Sequence, residues 1–222
     1  MSKKSLKVSY ILNILIVVCL IFSLIVMFGK INFMHMENPI EEAHSIAMFK
    51  YFTTDSNILV GIASLLLLIE ERKVLKDNRK SIRPFLYIFK YISTVAVMVT
   101  FLTVFIYLGP WSSGGIISML TNSNLFLHLI IPLLAFISFI FFEKNNKIDR
   151  KYVKYGVSSV IIYALFYITV VLTHLENGHV SIKYDWYWFV QKGINYIFIV
   201  VPIMFIGTFL LSYLIYILNH KK

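Results

Sequence analysis

Apolar residues fall into six runs separated by short polar stretches: Val8–Phe28, Phe49–Ile69, Phe85–Leu108, Asn122–Phe142, Tyr152–His174 and Ile194–Leu218. About 20 consecutive apolar residues cross a bilayer as a helix, and each run reaches that length. The connections leave no room for a separate soluble domain. The pattern therefore predicts an all-α polytopic membrane protein, a six-transmembrane-helix bundle in which residues 1–222 form a single integral membrane domain. The first run is longer than a usual signal core, and no small-x-small cleavage site follows it. It is expected to remain as the first span.

Composition agrees with this reading. Of 222 residues, 59% are hydrophobic and 14% charged, more apolar sequence than a soluble domain of this size needs. The formal net charge of +10 invites a nucleic-acid partner, but its distribution argues otherwise. Lys3, Lys4 and Lys7 precede the first run, and Arg72, Lys73, Lys76, Arg79, Lys80 and Arg83 follow the second. Lys144, Lys147, Arg150, Lys151 and Lys154 follow the fourth, and Lys221 and Lys222 close the chain. These alternate segments hold 16 of the 21 basic residues. The intervening ones hold Lys30, Lys50, Lys183 and Lys192, and Lys90 is expected to snorkel to the basic side. By the positive-inside rule both termini face the cytoplasm of a cell-membrane protein. Anionic lipids are a sufficient partner for the charge, with no nucleic acid. The lone Cys19 permits no intrachain disulfide.

Two polar islands interrupt this apolar sequence. The first is Lys50-Tyr51-Phe52-Thr53-Thr54-Asp55-Ser56-Asn57; the second is Asn122-Ser123-Asn124 followed by His128. Polar groups are costly in lipid and usually face a protein interior or a wet cavity. Under the predicted topology both islands lie in the outer half of the membrane. Thr53 is about 6 Å deep and His128 about 9 Å, at about 1.5 Å per residue. Thr53, Ser56 and Asn57 share a helical stripe with Lys50, and Asn124, His128 and Pro132 share another. Asn124 is placed to orient the His128 ring, and Pro132 deprives the His128 carbonyl of its usual helical donor. A hydroxyl and an imidazole so placed suggest nucleophile and base. The structural alternative is that Ser and Thr bond back to their own helix while Asn and His join helices. Thr54 is a bystander or a rival nucleophile.

Lys50-Tyr51-Phe52-Thr53 resembles the Lys-aromatic-apolar-Thr element of the androgen-induced gene family of multispan membrane proteins. Asn124-x-x-x-His128-x-x-x-Pro132 is similar to that family's second element, and bacterial six-span relatives carry an aromatic-Thr-x-x-Ser-Asn segment like Phe52 to Asn57. Animal members are threonine hydrolases that cleave fatty acid esters of hydroxy fatty acids. The resemblance implies Thr53 as nucleophile, His128 as its base, and a lipid ester as substrate for a hydrolase or acyl transferase. Lys50, Asn57 or Asn124 is then available to support the oxyanion. The carboxyl third carries no matching motif.

Other signals are weaker. His35, Glu37, Glu41, Glu42 and His44, with His174, Glu176 and His179, place possible ligands on one face, but their spacing fits no compact zinc site. Tyr184, Trp186, Tyr187 and Trp188 read as an interfacial aromatic belt. Pro202 and Gly207 are positioned to kink the last span. No nucleotide fingerprint is present, so no cofactor is expected. A transporter or channel subunit is the alternative function, opposed by the lack of midplane carboxylates and of an inverted repeat. A non-catalytic scaffold is the third.

Overall fold

The computed structural model describes residues 2–34, 45–77, 81–144 and 148–221. Among the described residues six helices are long and apolar enough to cross a membrane: Lys3–Gly29, Phe52–Lys76, Pro84–Trp111, Asn122–Phe142, Arg150–Thr173 and Ile194–His220. No strand occurs among the described residues. The chain is a multi-pass helical membrane protein.

Local chemistry sets several helix ends. Ser2 caps the first helix by accepting from the Ser5 N–H at 3.1 Å, which satisfies one of the orphan donors of the first turn. Lys30 closes it in a left-handed conformation, its N–H returning to the Val26 carbonyl. Pro84 opens the third, where its missing N–H is no loss. The second helix runs to Asp77, beyond the apolar run that ends at Ile69. The last helix continues across Pro202.

The third span is central, with faces against the second, fourth, fifth and sixth, while the first packs on the second and fourth. Ser5 Oγ donates to the Phe142 carbonyl and Lys144 Nζ to the Lys221 carbonyl. The first span's start, the fourth's finish and the chain's end therefore meet at one face, here the terminal face. Tyr91 on the third span donates to the Ser212 carbonyl at 2.8 Å, and Ser212 Oγ donates to the Val153 carbonyl. Those bonds tie the third, fifth and sixth spans. Gly156 allows the approach, since a Cβ there would lie 2.1 Å from Ser212 Oγ.

Lys90 does not snorkel. It is fully buried and donates to Asn13 Oδ1 and Ser64 Oγ; acceptors on two neighbouring helices hold the ammonium inside, where water was expected to.

Among the described residues three stretches close hydrogen bonds five residues apart instead of four: Thr103–Leu108, Phe126–Ile130 and Ser138–Phe142. Such π turns shift the register of every group beyond them.

Candidate functional site

At the face opposite the termini, the second span begins at Phe52, so Thr53 sits in its first turn. The Phe52 N–H donates to Tyr187 Oη at 3.0 Å, and those of Thr54 and Asp55 go to the Tyr51 carbonyl. The Thr53 N–H has no hydrogen-bond partner among the described residues. The Thr53 side chain is half-buried and lines a cavity between the second, third, fifth and sixth spans.

The cavity wall is almost wholly apolar and carries no charged side chain. Its polar groups are hydroxyls, from Thr53, Thr100, Thr103, Tyr163, Tyr167 and Tyr187. Most are engaged. Thr100 Oγ1 pairs with Ser56 Oγ at 2.9 Å, Tyr163 donates to the Lys50 carbonyl at 2.6 Å, and Tyr167 donates to Asp185. Only the Thr53 and Thr103 hydroxyls make no hydrogen bond among the described residues.

The loop between the fifth and sixth spans forms the cavity's cover. Asp185 is fully buried beneath it. Its carboxylate accepts from the Phe189 N–H at 3.0 Å, the Val190 N–H at 3.1 Å and Gln191 Nε2 at 2.7 Å, besides the Tyr167 hydroxyl. Backbone donors of this kind stabilise a buried carboxylate without a counter-ion. The loop they organise turns Tyr187 and Phe189 into the cavity. Tyr187 is therefore more than a membrane anchor, and burial pushes its hydroxyl up to about 12. Trp186 Nε1 donates to Tyr163 Oη, whereas Trp188 is exposed. Nothing in the sequence marks Asp185, since one acid in a polar loop looks the same whether solvated or buried.

His128 is buried on the fourth span, and its Nδ1 is 2.7 Å from the Met119 carbonyl. A carbonyl only accepts, so Nδ1 donates, and a neutral ring then keeps its lone pair on Nε2. The Met119 carbonyl fixes the ring; the structure shows no hydrogen bond to it from Asn124. His128 is not among the residues lining the cavity, and no hydrogen bond joins it to Thr53 among the described residues.

Asn57 links the two polar islands. Its Nδ2 donates to the Thr53 carbonyl at 2.7 Å and to the Leu127 carbonyl at 3.0 Å. The second bond has a backbone cause. In the π turn the Ile131 N–H closes on Phe126, so the Leu127 carbonyl falls to residue 132, a proline with no N–H. The Leu127 carbonyl, one residue before His128, is thus left without a backbone donor, and Asn57 satisfies it. With both amide hydrogens spent, Asn57 has none left for an oxyanion.

The remaining sequence candidates have structural settings. Lys50 Nζ lies 4.9 Å from the Tyr51 ring centroid and 5.4 Å from that of Trp186, a cation–π arrangement. Asn122, with φ 43°, accepts from the Phe33 and Met34 N–H groups and clamps the first loop. His174 stacks on Tyr184, and Glu176 and His179 pair through their backbones across a tight turn. His35, Glu37, Glu41, Glu42 and His44 lie outside the described residues. Among the described residues no group of three or more potential ligands is arranged to hold a metal.

Comparison with family models, curated proteins and solved structures finds none that matches this chain.

Proposed function

We propose that the chain is an integral membrane hydrolase or acyl transferase of lipid esters, such as fatty acid esters of hydroxy fatty acids, with Thr53 as nucleophile. The observation that carries this reading is an unengaged threonine hydroxyl in the wall of an uncharged apolar cavity. Such a wall accepts an acyl chain and disfavours an ionic solute. The motif resemblance of Lys50 to Thr53 and of Asn124 to Pro132 supplies the reaction class.

In the proposed reaction Thr53 Oγ1 attacks the ester carbonyl carbon, and its proton passes to His128 Nε2, directly or through one water. The Thr53 N–H donates to the oxyanion, a contribution of about 2.7–4 kcal/mol where such donors have been removed in other enzymes. Collapse releases the alcohol, which takes the proton from His128. Water then attacks the Thr53 ester with His128 again as base, freeing the fatty acid; an alcohol in place of water gives acyl transfer.

The test is release of fatty acid from a hydroxy-fatty-acid ester by the purified protein in nanodiscs. Thr53→Ala and His128→Ala are expected to lower the rate on the order of 10²–10⁴-fold, while Thr53→Ser retains activity. A fluorophosphonate probe should label the wild type at Thr53. Unchanged hydrolysis in both alanine variants refutes the dyad. Labelling and acyl release confined to Thr103 would move the nucleophile across the cavity.

A further inference from the structure

At the terminal face, far along the second span from Thr53, four spans turn charged and amide groups toward one another. Glu71, Lys90 and Glu143 are all buried there. Lys90 Nζ donates to Asn13 Oδ1 at 2.7 Å and to Ser64 Oγ at 2.6 Å, and stands 3.9 Å from Glu143 Oε1. That Glu143 oxygen also accepts from Ser138 Oγ at 2.6 Å and Asn13 Nδ2 at 3.0 Å. Ser9 Oγ is 2.5 Å from Glu71 Oε1 and 3.5 Å from Glu143 Oε1, so one hydroxyl bridges the two carboxylates.

Two features leave the cluster incomplete. The second oxygen of each carboxylate, Glu71 Oε2 and Glu143 Oε2, is buried without a hydrogen-bond partner. The charges also fail to balance, since Lys90 is the one ion-pair cation that meets this pair among the described residues. The adjacent Glu70 is engaged elsewhere, with Lys73 at 3.2 Å and Arg83 at 3.0 Å. The first span brings only the neutral Ser9 and Asn13. Tyr87 and Tyr91 are the titratable groups of the third span in the surrounding core, and the Tyr91 hydroxyl is spent on Ser212. An uncompensated charge in this setting is costly.

We propose that the cluster is a proton-binding site, in which a single exchangeable proton is held by the Glu71–Glu143 pair beside Lys90. A proton fits where a metal does not. It cancels the surplus charge and converts an orphaned acceptor into a donor, whereas a hard cation needs six or more oxygens, and here the ammonium occupies the polar centre. Binding joins the second and fourth spans through Ser9 of the first, so loading and unloading act on helix packing. The site is independent of the Thr53 chemistry and does not rest on it.

Infrared difference spectra of the full chain in nanodiscs, taken from about pH 5 to 8, test the proposal. The wild type is expected to show the deuterium-sensitive C=O stretch of a protonated carboxylic acid. That stretch should vanish or shift in Glu71→Gln and in Glu143→Gln, and persist in Glu70→Gln. Unfolding the wild type in detergent near neutral pH should release one more proton per chain than unfolding Glu71→Gln. Absence of the band from the wild type, which requires no variant to fold, overturns the proposal. So does a band unaltered in both Gln variants. Stabilisation by sodium over choline, without the band, would identify a metal cation as ligand and also overturn it.

Discussion

Replacing Asn57 by Ala tests how the polar islands are held together. The change removes two hydrogen bonds, at 2.7 and 3.0 Å, but their losses differ. The Thr53 carbonyl keeps Ser56 Oγ at 3.1 Å. The Leu127 carbonyl keeps nothing, because Ile131 has closed on Phe126 and Pro132 has no N–H. An ordinary bond contributes about 0.5–1.5 kcal/mol net, whereas an abandoned buried carbonyl costs about 1–3 kcal/mol. Polar contacts between membrane helices average nearer ~0.6 kcal/mol. A loss of about 1–2 kcal/mol follows from combining these ranges. Pro132→Ala restores an N–H that can close on Leu127. In that background Asn57→Ala should cost about 1 kcal/mol less, since the two residues serve one carbonyl. The assay is a double-mutant cycle in mixed micelles, with unfolding followed by circular dichroism against detergent mole fraction. Equal costs of Asn57→Ala in both backgrounds would refute the orphaned-carbonyl argument, whatever the absolute stabilities.

Three further outcomes are expected. Asp185→Ala strips the acceptor from the Phe189 and Val190 amides, and hydrogen exchange across residues 181–193 should accelerate; unchanged protection would mean that the cover is held by its aromatic packing alone. Gly156→Ala forces a Cβ to within 2.8 Å of Ser212 Cβ and should cost about 1–3 kcal/mol by overpacking, measured by the same detergent titration. Gly61→Ala, whose clash is with the flexible tip of Leu20, should cost less. Tyr187 is held neutral in the fold up to about 12, above its ordinary value of 10.0. Its contribution is therefore complete below about pH 10 and lost as pH rises through the folded value. Tyr187→Phe should flatten that alkaline loss of stability, and an unaltered alkaline limb would assign the loss to another group.

The six spans were legible because hydropathy averages over about 20 residues, and no local irregularity outweighs such a window. The fourth, Asn122–Phe142, has the bounds read from sequence. The second overruns its apolar stretch to Asp77, because backbone hydrogen bonding continues where hydropathy stops. That difference conceals the proton-site candidate: Glu71 and Glu143 lie just past the apolar runs, where hydropathy marks a loop, and the sequence pattern points Lys90 toward water. The spacing of Ser9 and Asn13, one turn apart, held the missing signal, since two polar residues on one face of an apolar helix need partners inside. Thr53 was legible as a hydroxyl in a polar island. The acceptor of its neighbour Asn57 was not, because a π turn moves the orphaned carbonyl by one residue and depends on tertiary packing.

The π turns also explain why polar groups gather where they do. Each widened turn changes which carbonyl meets which amide, and in an apolar interior the surplus acceptor needs a donor from another helix. Asn57 supplies one to Leu127, beside His128, and Asn219 Nδ2 supplies one to Phe139 at 2.6 Å. The third such turn, Thr103–Leu108, contributes Thr103 and Val104 to the cavity wall. The turn at Ser138–Phe142 delivers Glu143, whose N–H closes on the Ser138 carbonyl, to the charged cluster. Straightening one of these turns would rotate the residues beyond it by about 100° per residue of register, from the geometry of 3.6 residues per turn. The same backbone feature therefore places groups at both ends of the bundle: His128 and the Thr103 hydroxyl at one face, Glu143 at the other. A residue deleted within Phe126–Ile130 should disturb both ends at once, whereas a side-chain change at either end should remain local.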